Sequence, residues 1–197
     1  QLLRVLYMKC GICNQNGELI RDLKEMQPED FPILSDLLAL TTYMIQHFEK
    51  NADKYNADVT RFSVIGHSAG GFLAAKAAIA LDANGFPLES QILLCPWTTG
   101  LPKTVSSTLA PAFFSLGGAD AISQESSQYQ EVLKAAGVPY TVKEYESGEH
   151  PFIHSPYPEF QKGLSAEEKA VVANEEQFAL SYQAENDIKE WLNSLWE

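Results

Sequence analysis

The sequence feature that most constrains the fold is a glycine-rich stretch at residues 61–75, which reads RFSVIGHSAGGFLAA. An apolar run precedes the glycines and an alanine-rich run follows them, so the pattern predicts a strand, a tight turn and a helix. Gly66 and Gly70 lie two residues before and after Ser68, where a side chain would crowd such a turn. A turn of this kind exposes a serine oxygen and points a helix N-terminus at the reacting carbonyl. We therefore predict that Ser68 is a nucleophile rather than an ordinary serine in a glycine-rich turn.

The rest of the chain alternates short apolar runs with helical patterns. Besides the strand before Ser68, we predict strands at residues 2–8, 91–95, 112–116 and 139–146. We predict helices at residues 28–48, from 69 to about 81, at 124–136, from 165 onwards and around the apolar stripe of residues 188, 191, 192 and 195. Strands that alternate with helices indicate a parallel sheet with helices on both faces. At 197 residues, we expect one α/β domain over residues 1–197.

Four reactive or bulky residues follow the ends of successive predicted strands. They are Ser68, Trp97, Asp120 and His150. In a parallel sheet, ligands bind at the carboxyl ends of the strands. The sequence therefore predicts that these residues meet at one edge of the sheet and form a site there.

Serine, aspartate and histidine together make a known catalytic group. A serine hydroxyl needs a base to take its proton, and the base needs an anion that holds its tautomer. Asp120 and His150 fit these roles for Ser68. Glu125 and Glu149 are alternatives for the acid, but Asp120 lies directly after a predicted strand.

The other histidines have simpler interpretations. His154 is an alternative base, although the predicted strand ends nearer to His150. His67 lies inside the turn and cannot easily reach the hydroxyl of its neighbour, so we expect it to pack beneath the turn. His47 falls in a predicted surface helix and is interpreted as a solvated residue.

The charge balance argues against some partners. The chain has 14 basic and 26 acidic residues, for a formal charge of −12. Such a charge repels nucleic-acid backbones and anionic membrane surfaces. No apolar run approaches the roughly 18 residues that a membrane helix needs. We therefore expect neither nucleic acid nor a membrane span.

Three cysteines occur, at positions 10, 13 and 95. Cys10 and Cys13 have the spacing of a redox or half-zinc motif, but a zinc site needs two more ligands, and none lies adjacent. We therefore interpret both as ordinary cysteines, and we expect no metal.

Several motifs in order carry a family resemblance. They are residues 66–71, 96–97, 117–120, 129–138 and 144–152. Together they resemble the α/β-hydrolase carboxylesterases, especially the hormone-sensitive-lipase-like and acetyl-esterase branches, over about residues 28–152. The order Ser68, Asp120, His150 is that of α/β-hydrolases. The resemblance implies an α/β-hydrolase fold, a Ser68 nucleophile, a His150 general base, an Asp120 orienting acid and no organic cofactor.

One element of the family pattern is not found. The Ala69 N–H supplies one donor of the oxyanion hole, but the second normally comes from a His-Gly-Gly loop upstream. Only 27 residues precede Pro28, too few for the early strands, that loop and its helix. We expect a chain that lacks its N-terminal strands.

The sequence thus predicts a serine hydrolase that acts on a small ester. Phe72, Trp97 and Phe152 are candidates for the wall of an acyl pocket, and each has an equally plausible core role. The alternatives are a non-catalytic binder of small molecules, or a peptidase or thioesterase on the same fold.

Overall fold

The structure, a computed structural model, describes residues 61–86 and 88–195, together with residues 3–4, 11–13, 19–22, 43, 46–47, 50–55 and 58. The strands are β1 (Leu3–Arg4), β2 (Gly11–Cys13), β3 (Leu19–Asp22), β4 (Ser63–His67), β5 (Ser90–Leu94), β6 (Ala112–Gly117) and β7 (Tyr140–Tyr145). The helices are α1 (Ala52–Tyr55), α2 (Ala69–Ala83), α3 (Ala121–Gln124), α4 (Ser127–Ala135), α5 (Pro158–Gln161), α6 (Ala166–Val172) and α7 (Glu175–Ser194). A 3-10 turn spans Phe152–His154.

A parallel sheet organises the described part of the chain. Its strand order is β1-β4-β5-β6-β7, and every neighbouring pair is parallel. The register places His67 beside Leu94, and Leu94 beside Ser115. The carboxyl ends of β4, β5 and β6 therefore lie at one edge, which confirms the predicted parallel sheet.

Apolar residues fill both faces of the sheet. Side chains alternate between faces along a strand, and Ile92 and Leu93 accordingly belong to different core clusters. One cluster contains residues of α2 and α4, and the other contains residues of α7. The predicted cover of helices on both faces is confirmed. Among the described residues, no helix is both long and apolar enough to cross a membrane.

The helix predicted at residues 124–136 forms as α4 over Ser127–Ala135, and a separate short helix, α3, ends at Gln124 just before it. Asp120 begins α3 by accepting hydrogen bonds from the N–H groups of Ile122 and Ser123. The Ser126 hydroxyl then donates to the Ser123 carbonyl at 2.6 Å. A serine that bonds nearby backbone competes with the helical pattern, and α4 begins anew at Ser127.

The N-terminal predictions are tested only in part. Residues 3–4 of the strand predicted at 2–8 form β1, beside Val64 and Ile65. The sequence did not predict the antiparallel pair of β2 and β3. Most of the helix predicted at residues 28–48 lies outside the described residues, as does Cys10. His47, which the sequence analysis interprets as solvated, has a helical backbone conformation and is half-buried.

The C-terminal helices follow the sequence closely. The Ser165 hydroxyl accepts from the Glu168 N–H, and the Glu168 carboxylate accepts from the Ser165 N–H, so the capping box predicted before α6 is present. In α7, Ile188 and Leu192 are buried. Trp191 packs against Phe113 of β6, with ring centroids 5.3 Å apart.

Candidate active site

Ser68 occupies a strained turn between β4 and α2. Its φ of 55° is positive, which is uncommon for a residue with a side chain. The Ser68 N–H donates to the Leu94 carbonyl at 2.9 Å. The Ser68 carbonyl accepts from the N–H groups of Gly71 and Trp97, at 2.9 and 3.1 Å. Such strain persists where the surroundings hold it, typically at functional sites, and here β5 and α2 hold the Ser68 turn from both sides.

Glycines make the turn sterically possible. A Cβ at Gly66 would lie 2.0 Å from the Gly70 carbonyl oxygen, well inside contact distance. A Cβ at Gly71 would lie 2.7 Å from the Cβ of Pro96, just after β5. The crowding predicted at Gly66 is therefore confirmed, and Gly71 lets α2 approach the neighbouring strand.

The Ala69 N–H lies next to the Ser68 hydroxyl group in the chain. Ala69 is the first residue of α2. The first N–H groups of a helix have no carbonyl partner within that helix, and they carry its positive dipole end. Ala69 is thus suited to the oxyanion-donor role that the sequence predicts for it.

Asp120 and His150 are paired. The Nδ1 atom of His150 lies 2.9 Å from Oδ2 of Asp120, whose side chain is buried. Oδ2 also accepts from the Ser123 hydroxyl at 2.7 Å. Burial raises the pKa of Asp120, but the hydrogen bond and charge of His150, with bonds from Ser123 and Ile122, outweigh it and hold this pKa below its usual value. Asp120 is therefore an anion at neutral pH, as an orienting acid requires.

The alternative acids lie elsewhere. The Glu125 carboxylate accepts from the Thr99 hydroxyl at 2.6 Å, on the exposed surface. Glu149 is exposed, and its backbone N–H donates to Gln177. The hydrogen bond from His150 to Asp120 thus favours Asp120 over both glutamates.

His67 and His154 are both buried and bonded to each other. The Nε2 atom of His67 is 2.8 Å from the His150 carbonyl oxygen, and its Nδ1 is 3.1 Å from Nε2 of His154. Burial and the two neighbouring histidines lower the pKa of His67 well below its usual value. Burial, and then the charge of His150, lower the pKa of His154 to about 3. His154 is therefore neutral, and its Nε2 faces His67.

Gln177 holds the loop that carries His150, and the sequence analysis missed it. Its side-chain oxygen accepts from the Glu149 N–H at 3.0 Å, and its side-chain nitrogen donates to the Ser147 carbonyl at 2.7 Å. The residue is buried on α7, in line with Ser181 and Ala184. A glutamine on the apolar stripe of a helix was the available signal, since a buried amide needs partners.

Cys95 lies close to Asp120 and His150. It has a positive φ of 41°, and its N–H donates to the Ser115 carbonyl. Burial, and then the charge of Asp120, raise the pKa of Cys95 to about 12. Its side chain is therefore a neutral thiol rather than a reactive thiolate.

Three of these side chains have the composition of a metal site. One ligand atom each of His67, Cys95 and His150 lies within 4.8 Å of the others. Both ring nitrogens of His67 and the Nδ1 atom of His150 already have hydrogen-bond partners. A metal ion would have to break those bonds, so the cluster is better suited to a hydrogen-bond network.

The three predicted pocket residues have different surroundings. Phe72 is buried and stacks on half-buried Trp97, with ring centroids 5.3 Å apart and planes at 28°. Phe152 is completely buried and packs on Tyr145, with centroids 5.4 Å apart. Phe152 belongs to one of the two core clusters, and the role of all three residues as a pocket wall stays a prediction.

Comparison with known proteins identifies the fold. A family model described as the alpha/beta hydrolase fold matches residues 34–108. No curated protein matches the sequence. The solved structures that are similar include MGS-M1, an α/β hydrolase enzyme from a Medee basin deep-sea metagenome library, at 18% identity and a TM-score of 0.61 over 80% of this chain and 64% of that one.

Two esterase structures are similar as well. One of two fungal esterases from Rhizomucor miehei shares 17% identity with a TM-score of 0.55, over 75% of this chain and 60% of that one. An esterase of Pyrobaculum calidifontis shares 20% identity with a TM-score of 0.52, over 73% and 60% of the two chains. This chain therefore spans about three fifths of the length of these structures. The family match and the shared architecture confirm the predicted resemblance at the level of the fold: the chain is an α/β-hydrolase-fold protein.

Proposed function

We propose that this chain is a serine carboxylic-ester hydrolase that acts on a small ester through Ser68, His150 and Asp120. The observation that carries the proposal is the 2.9 Å hydrogen bond between His150 and Asp120. It lies at the same sheet edge as the strained turn of Ser68. The similarity to esterase structures agrees with this chemistry.

The proposed reaction has two steps. The Nε2 atom of His150 takes the proton of the Ser68 hydroxyl, and the serine oxygen attacks the ester carbonyl while the Ala69 N–H stabilises the negative oxygen. The tetrahedral intermediate collapses to an acyl-enzyme, and the alcohol leaves with the proton that His150 returns. A water molecule then attacks the acyl group, with His150 again as base, and the acid is released.

Asp120 supports both steps without reacting. It is ionised, and it accepts the Nδ1–H of His150. This bond keeps the Nε2 lone pair available for the Ser68 proton and stabilises the imidazolium that forms. In this proposal, Phe72 and Trp97 form the wall of the acyl pocket. Their rings stack on each other, and the two residues come after β4 and β5, which are neighbouring strands of the sheet.

The test is covalent labelling of Ser68 by a fluorophosphonate, together with hydrolysis of p-nitrophenyl acetate. We expect the Ser68→Ala variant to lose labelling and to lose turnover by at least about 10³-fold. Ser147→Ala is the matched control, because this serine lies in the loop of His150 and its hydroxyl bonds only the exposed Glu176 carboxylate among the contacts seen. The control should keep both activities.

Two results would overturn the proposal. Turnover retained by a folded Ser68→Ala variant would exclude Ser68 as the nucleophile. A wild-type chain that neither reacts with the fluorophosphonate nor hydrolyses short esters would exclude the hydrolase function, and would favour the non-catalytic binder.

A further inference from the structure

We infer that His67 and His154 are positioning residues that hold the backbone of His150 in place through a two-imidazole relay. The inference rests on the proposed function in one respect, namely the role of His150 as the base. The relay consists of two hydrogen bonds, one from His154 to His67 and one from His67 to the His150 carbonyl. These two bonds are present whether or not His150 acts as the base.

The directions of the two bonds follow from the acceptor at the end. A carbonyl oxygen only accepts, so the Nε2 atom of His67 carries a proton and donates to His150 across 2.8 Å. A neutral imidazole has one N–H, so Nδ1 of His67 is then an acceptor. Nε2 of His154, 3.1 Å away, must be the donor to it. Burial keeps both rings neutral, and with neutral rings the two bonds require that both be protonated at Nε2.

His154 fixes the orientation of the His67 ring. The His150 carbonyl by itself keeps the proton of His67 on Nε2, but the bond from His154 anchors the opposite ring nitrogen, Nδ1. Without that anchor the ring is free to tilt, which lengthens and weakens the bond from its Nε2–H to the His150 carbonyl. His154 thus acts on His150 through His67 and touches no reacting atom.

The ends of the relay are fixed by the fold. His67 is the last residue of β4. His154 lies in the buried 3-10 turn, where the Ser181 hydroxyl of α7 donates to the Ile153 carbonyl at 3.1 Å. The Gln161 side chain donates to the His154 carbonyl at 3.0 Å. The relay therefore joins the strand before the nucleophile to the turn after the base.

His150 is consequently held through both its ring and its backbone. Its ring bonds Asp120, which follows β6, and its carbonyl bonds His67, which ends β4. The rings of His67 and His150 lie with centroids 4.7 Å apart. A carbonyl that loses its donor removes one of these anchors, so we expect a less precisely placed base without loss of substrate binding.

The kinetic experiment compares His154→Phe with His154→Gln in the whole chain. Phenylalanine has no donor for Nδ1 of His67, whereas the glutamine amide keeps a donor of similar reach. We expect kcat for p-nitrophenyl acetate to fall about threefold to tenfold in the phenylalanine variant, with KM unchanged. The glutamine variant should recover most of this loss.

A second readout does not depend on activity. Nitrogen-15 NMR of the histidine rings at pH 7 should show His67 and His154 protonated at Nε2 in the wild type. In His154→Phe, the downfield proton of the His150–Asp120 bond should exchange faster with water than in the wild type.

Defined outcomes would overturn the relay. They are His67 protonated at Nδ1 in the wild type, wild-type kcat in a folded His154→Phe variant, or an equal loss in the phenylalanine and glutamine variants. If the wild type hydrolyses no ester, the proposed function fails, and the ring tautomers and the proton exchange alone decide whether the relay exists.

Discussion

The turn of Ser68 and the loop of His150 meet at the same edge of the sheet, but they are held in different ways. Gly66 and Gly71 leave the space that the turn needs, and the N–H and carbonyl of Ser68 bond to other backbone atoms. The loop of His150 is held by side chains from distant parts of the chain. His67 lies 83 residues from His150, and Gln177 lies 28 residues from Glu149.

This difference shows which part of the site is determined by nearby residues in the sequence and which part is determined by residues far away in the sequence. The turn is specified by a short stretch in which a side chain added at Gly66 meets backbone. The loop has local backbone bonds, such as the one from the Gly148 N–H to the Tyr145 carbonyl at 2.8 Å, and side chains of β4 and α7 tie it down in addition. Substitutions should therefore act on the turn through steric strain and on the loop through lost hydrogen bonds.

The largest expected effect is that of Gly66→Ala. The new Cβ would meet the Gly70 carbonyl oxygen and carbon at 2.0 and 2.3 Å, and backbone cannot yield as a flexible side chain does. We expect a loss of more than about 3 kcal/mol in the free energy of unfolding, measured by urea denaturation. Gly85→Ala is the control, because its Cβ meets nothing within 4 Å, and its positive φ alone should cost about 1 kcal/mol. Equal losses would show that the turn is not sterically constrained.

The second effect tests the loop through Gln177→Met, which keeps the length of the side chain and removes both hydrogen bonds. The Glu149 N–H and the Ser147 carbonyl would lose their partners. We expect a loss of about 2 to 3 kcal/mol in the free energy of unfolding, together with a lower kcat. Gln183→Met, at an exposed position of the same helix, should change neither quantity. An unchanged stability in Gln177→Met would break the contrast between turn and loop.

The smallest expected effect is a pH dependence of the free energy of unfolding, which comes from the buried histidines next to the loop of His150. The pKa of His154 is about 3 in the folded chain and near 6.5 when unfolded, so the unfolded chain takes up the proton first. Stability is therefore present above about pH 6.5 and is lost as the pH falls towards 3, by about 2 kcal/mol at pH 5.

Two other groups of the site also make the folded chain less stable in acid. The neighbours that face His154 are His67, His150 and the uncharged ring of Phe160, whose centroid lies 6.1 Å away. The lowered pKa of His67 adds to the acid loss, and that of Asp120 adds to it at lower pH. We expect His154→Gln to reduce the difference in unfolding free energy between pH 7 and pH 5 by about 2 kcal/mol. An identical difference in both proteins would mean that His154 is not held neutral by the fold.

The sequence by itself determined the strand, turn and helix around Ser68, the parallel sheet, and the positions of Asp120 and His150 just after strands. These features follow from local patterns, since apolar periodicity and glycine spacing act within a few residues. Only the tertiary structure decided that Asp120 rather than Glu125 or Glu149 meets His150, and that His154 bonds His67.

The partners of Gln177 and the position of Cys95 beside Asp120 also came only from the tertiary structure. Such contacts join residues whose separation along the chain carries no periodic signal, and a buried polar group takes whichever partner the packing of strands and helices brings within hydrogen-bond distance. Local patterns therefore place the candidate catalytic residues at the sheet edge, whereas their partners depend on how β4, the 3-10 turn and α7 pack together.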